Sequence, residues 1–164
     1  MRVRIARDEL RRLREPTQAI NALEAEIADL VARVAPQLLD EPGFGPLTAA
    51  RLVAEIAGAA RFSSDSKLAR AAGLAPIPVS SGRTDRHRLD RGGNRQINAA
   101  IHRVAVTRAR CHAETIEYVA RDKAEAKTHR DAVRSLKRHH LRRIWQPLRG
   151  PHPVSETTPH TSTP

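Results

Sequence analysis

On every long segment but one, the apolar residues of this chain recur at spacings of three and four. That period belongs to amphipathic helices and leaves little chain for a sheet. The exception is Leu74-Ala75-Pro76-Ile77-Pro78-Val79. Its β-branched residues favour extension, but proline cannot donate to the middle of a ladder, so the stretch is an edge strand or an extended loop. The expected fold class is therefore all-α, with one short extended loop or hairpin near residues 74–90.

Punctuation divides the chain into three parts. Residues 1–39 read as a linker or coiled-coil helix. Its first fifteen residues are dense in arginine, and Pro16 predicts that a helix starts afresh there, since proline suits a first turn and not a helix interior. Ile20, Leu23, Ile27, Leu30 and Val34 then form a seam of about two heptads. Such a seam packs on its own domain or against another helix, and the spacing does not choose between them.

Residues 40–148 read as the main domain. Gly43 and Gly45 bracket a tight turn, and Pro46 suits the first position of the next helix. Leu52, Val53 and Ile56 give that helix its apolar face, with Gly58 as its terminator. Ser64-Asp65 caps a short helix that runs to Gly73, and Ser80-Ser81-Gly82-Arg83-Thr84-Asp85 is turn chemistry. Helices follow with Ile97, Ile101 and Val104 on one face, then from Glu114 to about Ala126. A last helix opens at Thr128, with Asp131 three residues on and Val133, Leu136, Leu141 and Ile144 as apolar positions. Residues 149–164 are rich in Pro, Thr, Ser and His, cannot bury a core, and read as a disordered tail.

Composition narrows the function. A net charge of +11 calls for a polyanionic partner, nucleic acid before an acidic membrane surface. Aromatic residues are only 2%, which argues against a single-strand binder built on an array of stacking rings. Cys111 has no cysteine to pair with, and no apolar run suits a membrane span or a secretory signal. The expected location is cytoplasmic, beside the nucleoid, with no membrane. His139 and His140 are adjacent and point in different directions on a helix, so they make no metal pair. There is no P-loop and no dinucleotide fingerprint.

Three constellations have chemistry in them. The Gly43-Phe44-Gly45 turn resembles a helix-hairpin-helix element, in which amides at a helix N-terminus approach a DNA phosphate; the same glycines also serve a plain bend. Between Ser80 and Arg110, Arg83, Arg86, Arg88, Arg91, Arg95, Arg103, Arg108 and Arg110 are opposed only by Asp85 and Asp90. In the last helix Arg130, Arg134, Lys137, Arg138, Arg142, Arg143 and Arg149 face only Asp131. Guanidiniums suit bidentate phosphate contacts, and these segments lack the interspersed acids of a merely soluble face. The third is Ser80-Ser81-Gly82, a hydroxyl pair among arginines with His87 as a proton carrier; by spacing alone it is ordinary turn sequence.

Taken in order, PGFGPLTAARLVAEIA, AAGLAP, SSG in a basic loop, RGGNRQINAAIHRVA and AVRSLKRHHLRRIWQPL resemble the C-terminal domain of the insertion-sequence one-ten family of transposases. These are DEDD-type, bridge-RNA-guided recombinases, and the resemblance spans about residues 30–148. It implies a helical domain that works with an N-terminal RuvC-like domain holding Mg²⁺ on acidic residues, and no cofactor in this chain itself. It implies DNA and guide RNA as partners and a homo-oligomeric assembly. It also implies a serine that attacks a DNA phosphodiester to form a covalent intermediate. By position that serine is Ser81, with Ser80 as the fallback, and a metal-bound hydroxide of the RuvC-like domain ranks first as acceptor of its proton. Gly43 and Gly45 match the hairpin glycines. The DNA contacts expected are Gly43, Gly45, Arg83, Arg86, Arg88, Arg91, Arg95, Lys137, Arg138 and Arg142. The sequence departs from the pattern at Ala126-Lys127, where Gly-Lys is usual, at Ser135, where cysteine is frequent, and in residues 151–164, which match nothing. With no RuvC-like segment before it, the chain reads as a truncated transposase.

Overall fold

The computed structural model describes residues 2–81, 84–88, 90, 92–125 and 128–150. Helix α1 spans Arg2–Val34 and α2 Pro36–Leu39. Helix α3 spans Pro46–Ile56, a 3₁₀ turn Ala59–Arg61, and α4 Asp65–Ala71. Strands β1 (Ile77–Ser81) and β2 (Thr84–Arg88) form an antiparallel hairpin. Helices α5 (Arg95–Cys111), α6 (Ala113–Ala124) and α7 (His129–Arg149) complete the order. The class is all-α, and the extended hairpin falls where the two prolines predict it.

Helix α5 is the centre, packed against α3, α6 and α7. Its Ile97, Ile101 and Val104 lie in the main core with Leu52 and Ile56 of α3 and Leu141 and Ile144 of α7. Leu52 and Ile101 are fully buried, each worth about 1.5–3 kcal/mol of apolar burial. A smaller cluster of Ala105, Val119, Ala132 and Leu136 joins α5, α6 and α7. Local signals set the helix starts. Ser64 accepts from the Lys67 amide, Asn94 from the Gln96 and Ile97 amides, and Thr128 from the Asp131 amide.

Three boundaries differ from the sequence expectation. Helix α1 runs through Pro16 without starting afresh. Proline removes only its own N–H bond, and on an exposed helix the freed carbonyl can be hydrated; next to it, Thr17 Oγ1 donates to the Leu13 carbonyl at 2.7 Å. The turn assigned to residues 80–85 is narrower, because Ser80, Ser81, Thr84 and Asp85 belong to the paired strands. Helix α3 ends one residue early, at Ala57 with φ +47, before Gly58.

The α1 seam is divided. Of its residues only Ile27 packs on the core, beside buried Val31, which lies off the seam, whereas Ile20, Leu23, Leu30 and Val34 are exposed. Only the end of α1 packs on the core. Among the described residues no helix is long and apolar enough to cross a membrane. The Ala126-Lys127 departure and residues 151–164 lie outside the described residues, as do Gly82, Arg83 and Arg91.

Candidate nucleic-acid interface and serine hairpin

The hairpin carries Ser80 and Ser81 at the far end of β1. In the register Ser81 pairs with Thr84, Ser80 with Asp85, Val79 with Arg86, Pro78 with His87, and Ile77 with Arg88. Both serines, Arg86 and His87 therefore sit within one short ladder. Arg88 is exposed at the end of β2.

The two legs of the hairpin are clamped where they leave the helices. Gly73 has φ +65, and a Cβ on Gly93 would lie 2.0 Å from the Gly73 nitrogen, so the backbones cross at a distance only glycine permits. The Asn94 amide donates to the Ala71 carbonyl at 2.6 Å. Asn98 Nδ2 donates to the Ala72 and Gly73 carbonyls at 3.1 and 3.3 Å. Lys137 Nζ donates in turn to Asn98 Oδ1. The expectation that Lys137 contacts DNA meets this geometry poorly. Lys137 is buried, its pKa is held below the ordinary lysine value by burial and then by Arg134, and its ammonium supports the clamp. Asn98 and the Gly73–Gly93 crossing were not singled out from the sequence. The paired glycines of AAGLAP and RGGN were the available signal.

The glycine turn has two different glycines. Gly43 has φ +84, and a Cβ there would stand 2.9 Å from Arg108 Cγ. Gly45 has an ordinary φ of −80 and open space above it. Arg108 itself is buried, not part of a surface cluster. It bonds the Pro42 carbonyl, Glu41 Oε2 and Thr115 Oγ1, each at 3.4 Å. Gly43 is thereby needed for packing, while Gly45 opens onto a cavity of about 480 Å³ shared with Thr48, Arg103 and Thr107.

On α7, Arg130, Arg134, Arg138 and Arg142 follow at intervals of four and are all exposed. They form one ridge, each about 6 Å along the axis from the next. Arg134 pairs with Asp131 at 3.0 Å, and Arg142 Nε with Asp65 Oδ2 at 2.5 Å. The Arg142 bond holds the Asp65 carboxyl below the usual carboxylate range. Arg143 pairs with Glu41 at 2.8 Å. Among the described residues no carboxylate reaches Arg138, Arg95 or Arg88. Arg95 is exposed in the first turn of α5.

Beneath this surface His140 is buried with neither ring nitrogen partnered. Burial, then Arg108 and its other cationic neighbours, pushes its pKa down to about 3. Among the described residues no group of three His, Cys, Asp or Glu is placed to hold a metal ion.

The arrangement defines a class: an all-α domain that holds a serine-bearing β-hairpin beside a basic exterior with few compensating acids. Residues 35–120 match the Transposase IS116/IS110/IS902 family. The chain is 33% identical over 152 residues to the insertion element IS900 42 kDa protein of Mycobacterium paratuberculosis, covering 84% of this chain and 38% of that protein. It is 36% identical over 132 residues to the insertion element IS110 43.6 kDa protein of Streptomyces coelicolor, covering 78% of this chain and 32% of that one. The chain belongs to the IS116/IS110/IS902 family of insertion-sequence transposases. It spans well under half the length of these relatives.

Proposed function

We propose that this chain is the DNA-engaging, serine-bearing module of an insertion-sequence transposase, with Ser81 as the nucleophile of DNA strand transfer. The observation that carries the reading is that the family match over residues 35–120 takes in the glycine turn, the clamped hairpin and the serine pair together. Ser81 Oγ bonds to the phosphorus of a DNA phosphodiester while the bond from phosphorus to the leaving sugar oxygen breaks. The serine proton passes to His87 or to solvent, and the leaving oxygen takes a proton in return. Guanidiniums of Arg83, Arg86 and Arg88 counter the charge that grows on the phosphoryl oxygens. The clamp at Gly73, Gly93, Asn98 and Lys137 fixes the hairpin's root, which limits what the serine must lose in orientational freedom.

Arg88, Arg91, Arg95, Arg138 and Arg142 hold the DNA backbone, and Gly45 lets the first amides of α3 approach a phosphate. Guide RNA shares this cationic exterior, a second copy of the chain pairs with the exposed seam of α1, and a Mg²⁺-holding RuvC-like domain works as partner, beside the nucleoid. A non-catalytic nucleic-acid-binding module is the second reading, favoured by the exposed arginine ridge of α7, which suits phosphate contacts without any chemistry at the serines.

The test supplies guide RNA and the RuvC-like part of a relative, and traps a covalent protein–DNA adduct for mapping by mass spectrometry. Ser81→Ala abolishes the adduct and leaves DNA affinity nearly unchanged. An adduct that survives Ser81→Ala but not Ser80→Ala moves the role by one residue. Survival in both removes the serine mechanism, and no adduct in the complete mixture favours the second reading.

A further inference from the structure

A second cavity, of about 320 Å³, opens where α4, α6 and α7 meet. Ala75 and Pro76, the first leg of the serine hairpin, form part of its wall. Exposed Arg138 and Arg142 stand at its rim, with half-buried Asp65, Tyr118 and Ser135 deeper and His139 beside them. The Tyr118 and His139 rings are nearly parallel, 23° apart in plane with centroids 6.5 Å apart. Asp65 is ionised and already oriented, accepting from Arg142 Nε at 2.5 Å and the Ser66 amide at 2.8 Å.

These groups select against simple ions. A lone phosphate meets the Asp65 carboxylate inside, and a lone cation meets two guanidiniums at the rim. A nucleotide satisfies both parts, because its phosphate is an anion for Arg138 and its base is a flat ring edged with N–H donors. Carboxylates accept from base N–H groups, and rings of protein and base stack. The volume is at the low end for small-molecule pockets and suits one such unit. The arginine ridge of α7 leads to this rim, with a step comparable to the distance between successive phosphates of an extended strand. A strand that follows the ridge brings one nucleotide to the opening.

We infer that this cavity takes a single unpaired nucleotide, turned out of its strand, next to the hairpin that carries Ser81. The inference rests on the proposal that the chain engages nucleic acid and specifies where one base goes. One base needs only the two rings present, so the scarcity of aromatic residues is no obstacle.

The experiment measures affinity by fluorescence anisotropy for three duplexes: fully paired, with one unpaired nucleotide, and with the same unpaired position lacking its base. DNA and RNA forms of each identify the strand that supplies the nucleotide. The full chain should prefer the base-bearing form over the abasic form by roughly tenfold, the scale of one lost stacking contact. Ser135→Phe, which fills the cavity, and His139→Ala, at an exposed position, should each bring that ratio close to one. Neither should alter the salt dependence on the paired duplex. A ratio of one in the unmodified chain, with salt-dependent binding intact, overturns the nucleotide site and leaves the nucleic-acid reading standing. A ratio preserved in both variants, each shown to be folded by its thermal melt, also overturns the site. Absence of salt-dependent binding to any duplex overturns both.

Discussion

His140 fixes an acid limit for the fold. Its folded pKa of about 3 lies below the ordinary histidine value of 6.5, so the unfolded chain binds the extra proton. The stability that depends on its neutrality is present above pH 6.5 and is lost as pH falls towards 3. Between neutrality and pH 5 this amounts to about 2 kcal/mol. His102 is lowered in the same direction by burial and Lys137, whereas the lowered Asp65 and Asp131 act only below the ordinary carboxylate range. His140→Leu should therefore flatten the drop in melting temperature between pH 7.5 and pH 5; a drop as steep as in the parent chain assigns the sensitivity elsewhere. The glycines of the turn make a paired test at the same scale. Gly43→Ala meets Arg108 and a positive φ, and should cost at least about 1 kcal/mol in thermal unfolding. Gly45→Ala meets nothing and should leave the melt unchanged. If α3 amides approach phosphate, Gly45→Ala weakens DNA binding despite that intact melt; unaltered affinity makes the turn a connection only. Sequence gave the two glycines equal standing, because the difference lies in Arg108, which is remote in the chain and becomes a neighbour only through packing.

At the scale of elements, α1 and α7 present opposite surfaces. The α1 seam leaves Ile20, Leu23 and Leu30 in water, an apolar line that a second helix can cover. Ile20→Asp together with Leu23→Asp should convert an oligomer into monomer in light-scattering chromatography with no change in the melt of the core. A monomeric parent chain rejects the pairing. On α7 the exposed arginines form the ridge proposed to meet phosphate. Alanine at Arg88, Arg95 and Arg138 together should reduce the slope of log affinity against log salt by roughly three. An unchanged slope means that these side chains do not touch phosphate. Lys137, on the same helix, behaves differently: Lys137→Met leaves Asn98 without its donor and should destabilise the hairpin root, seen as faster amide exchange over residues 72–81, while the salt slope stays the same. Charge counting placed Lys137 with its neighbours, since a sequence shows charge without direction.

For the molecule as a whole, the sequence determined the class and most of the order. The three-and-four spacing put Ile97, Ile101, Val104, Leu141 and Ile144 inside, because an amphipathic helix has one apolar face and must bury it. The caps at Ser64 and Thr128 are local hydrogen bonds, and the prolines near Ile77 confine extension to an edge, so these too were legible from neighbouring residues. The motifs in their order sufficed to suggest the family. What only the tertiary structure decided are the relations between distant segments. Packing of α5 against the glycine turn buries Arg108 beside Glu41. The Gly73–Gly93 crossing joins two loops into one hairpin root, with Lys137 brought from α7 to hold it. The meeting of α4, α6 and α7 opens a cavity beside Ala75 and Pro76, which lead into the serine strand. Each depends on long-range contacts whose direction no local period encodes, and that is why the arginines and the lysine separate into supporting and surface groups only once the chain is folded.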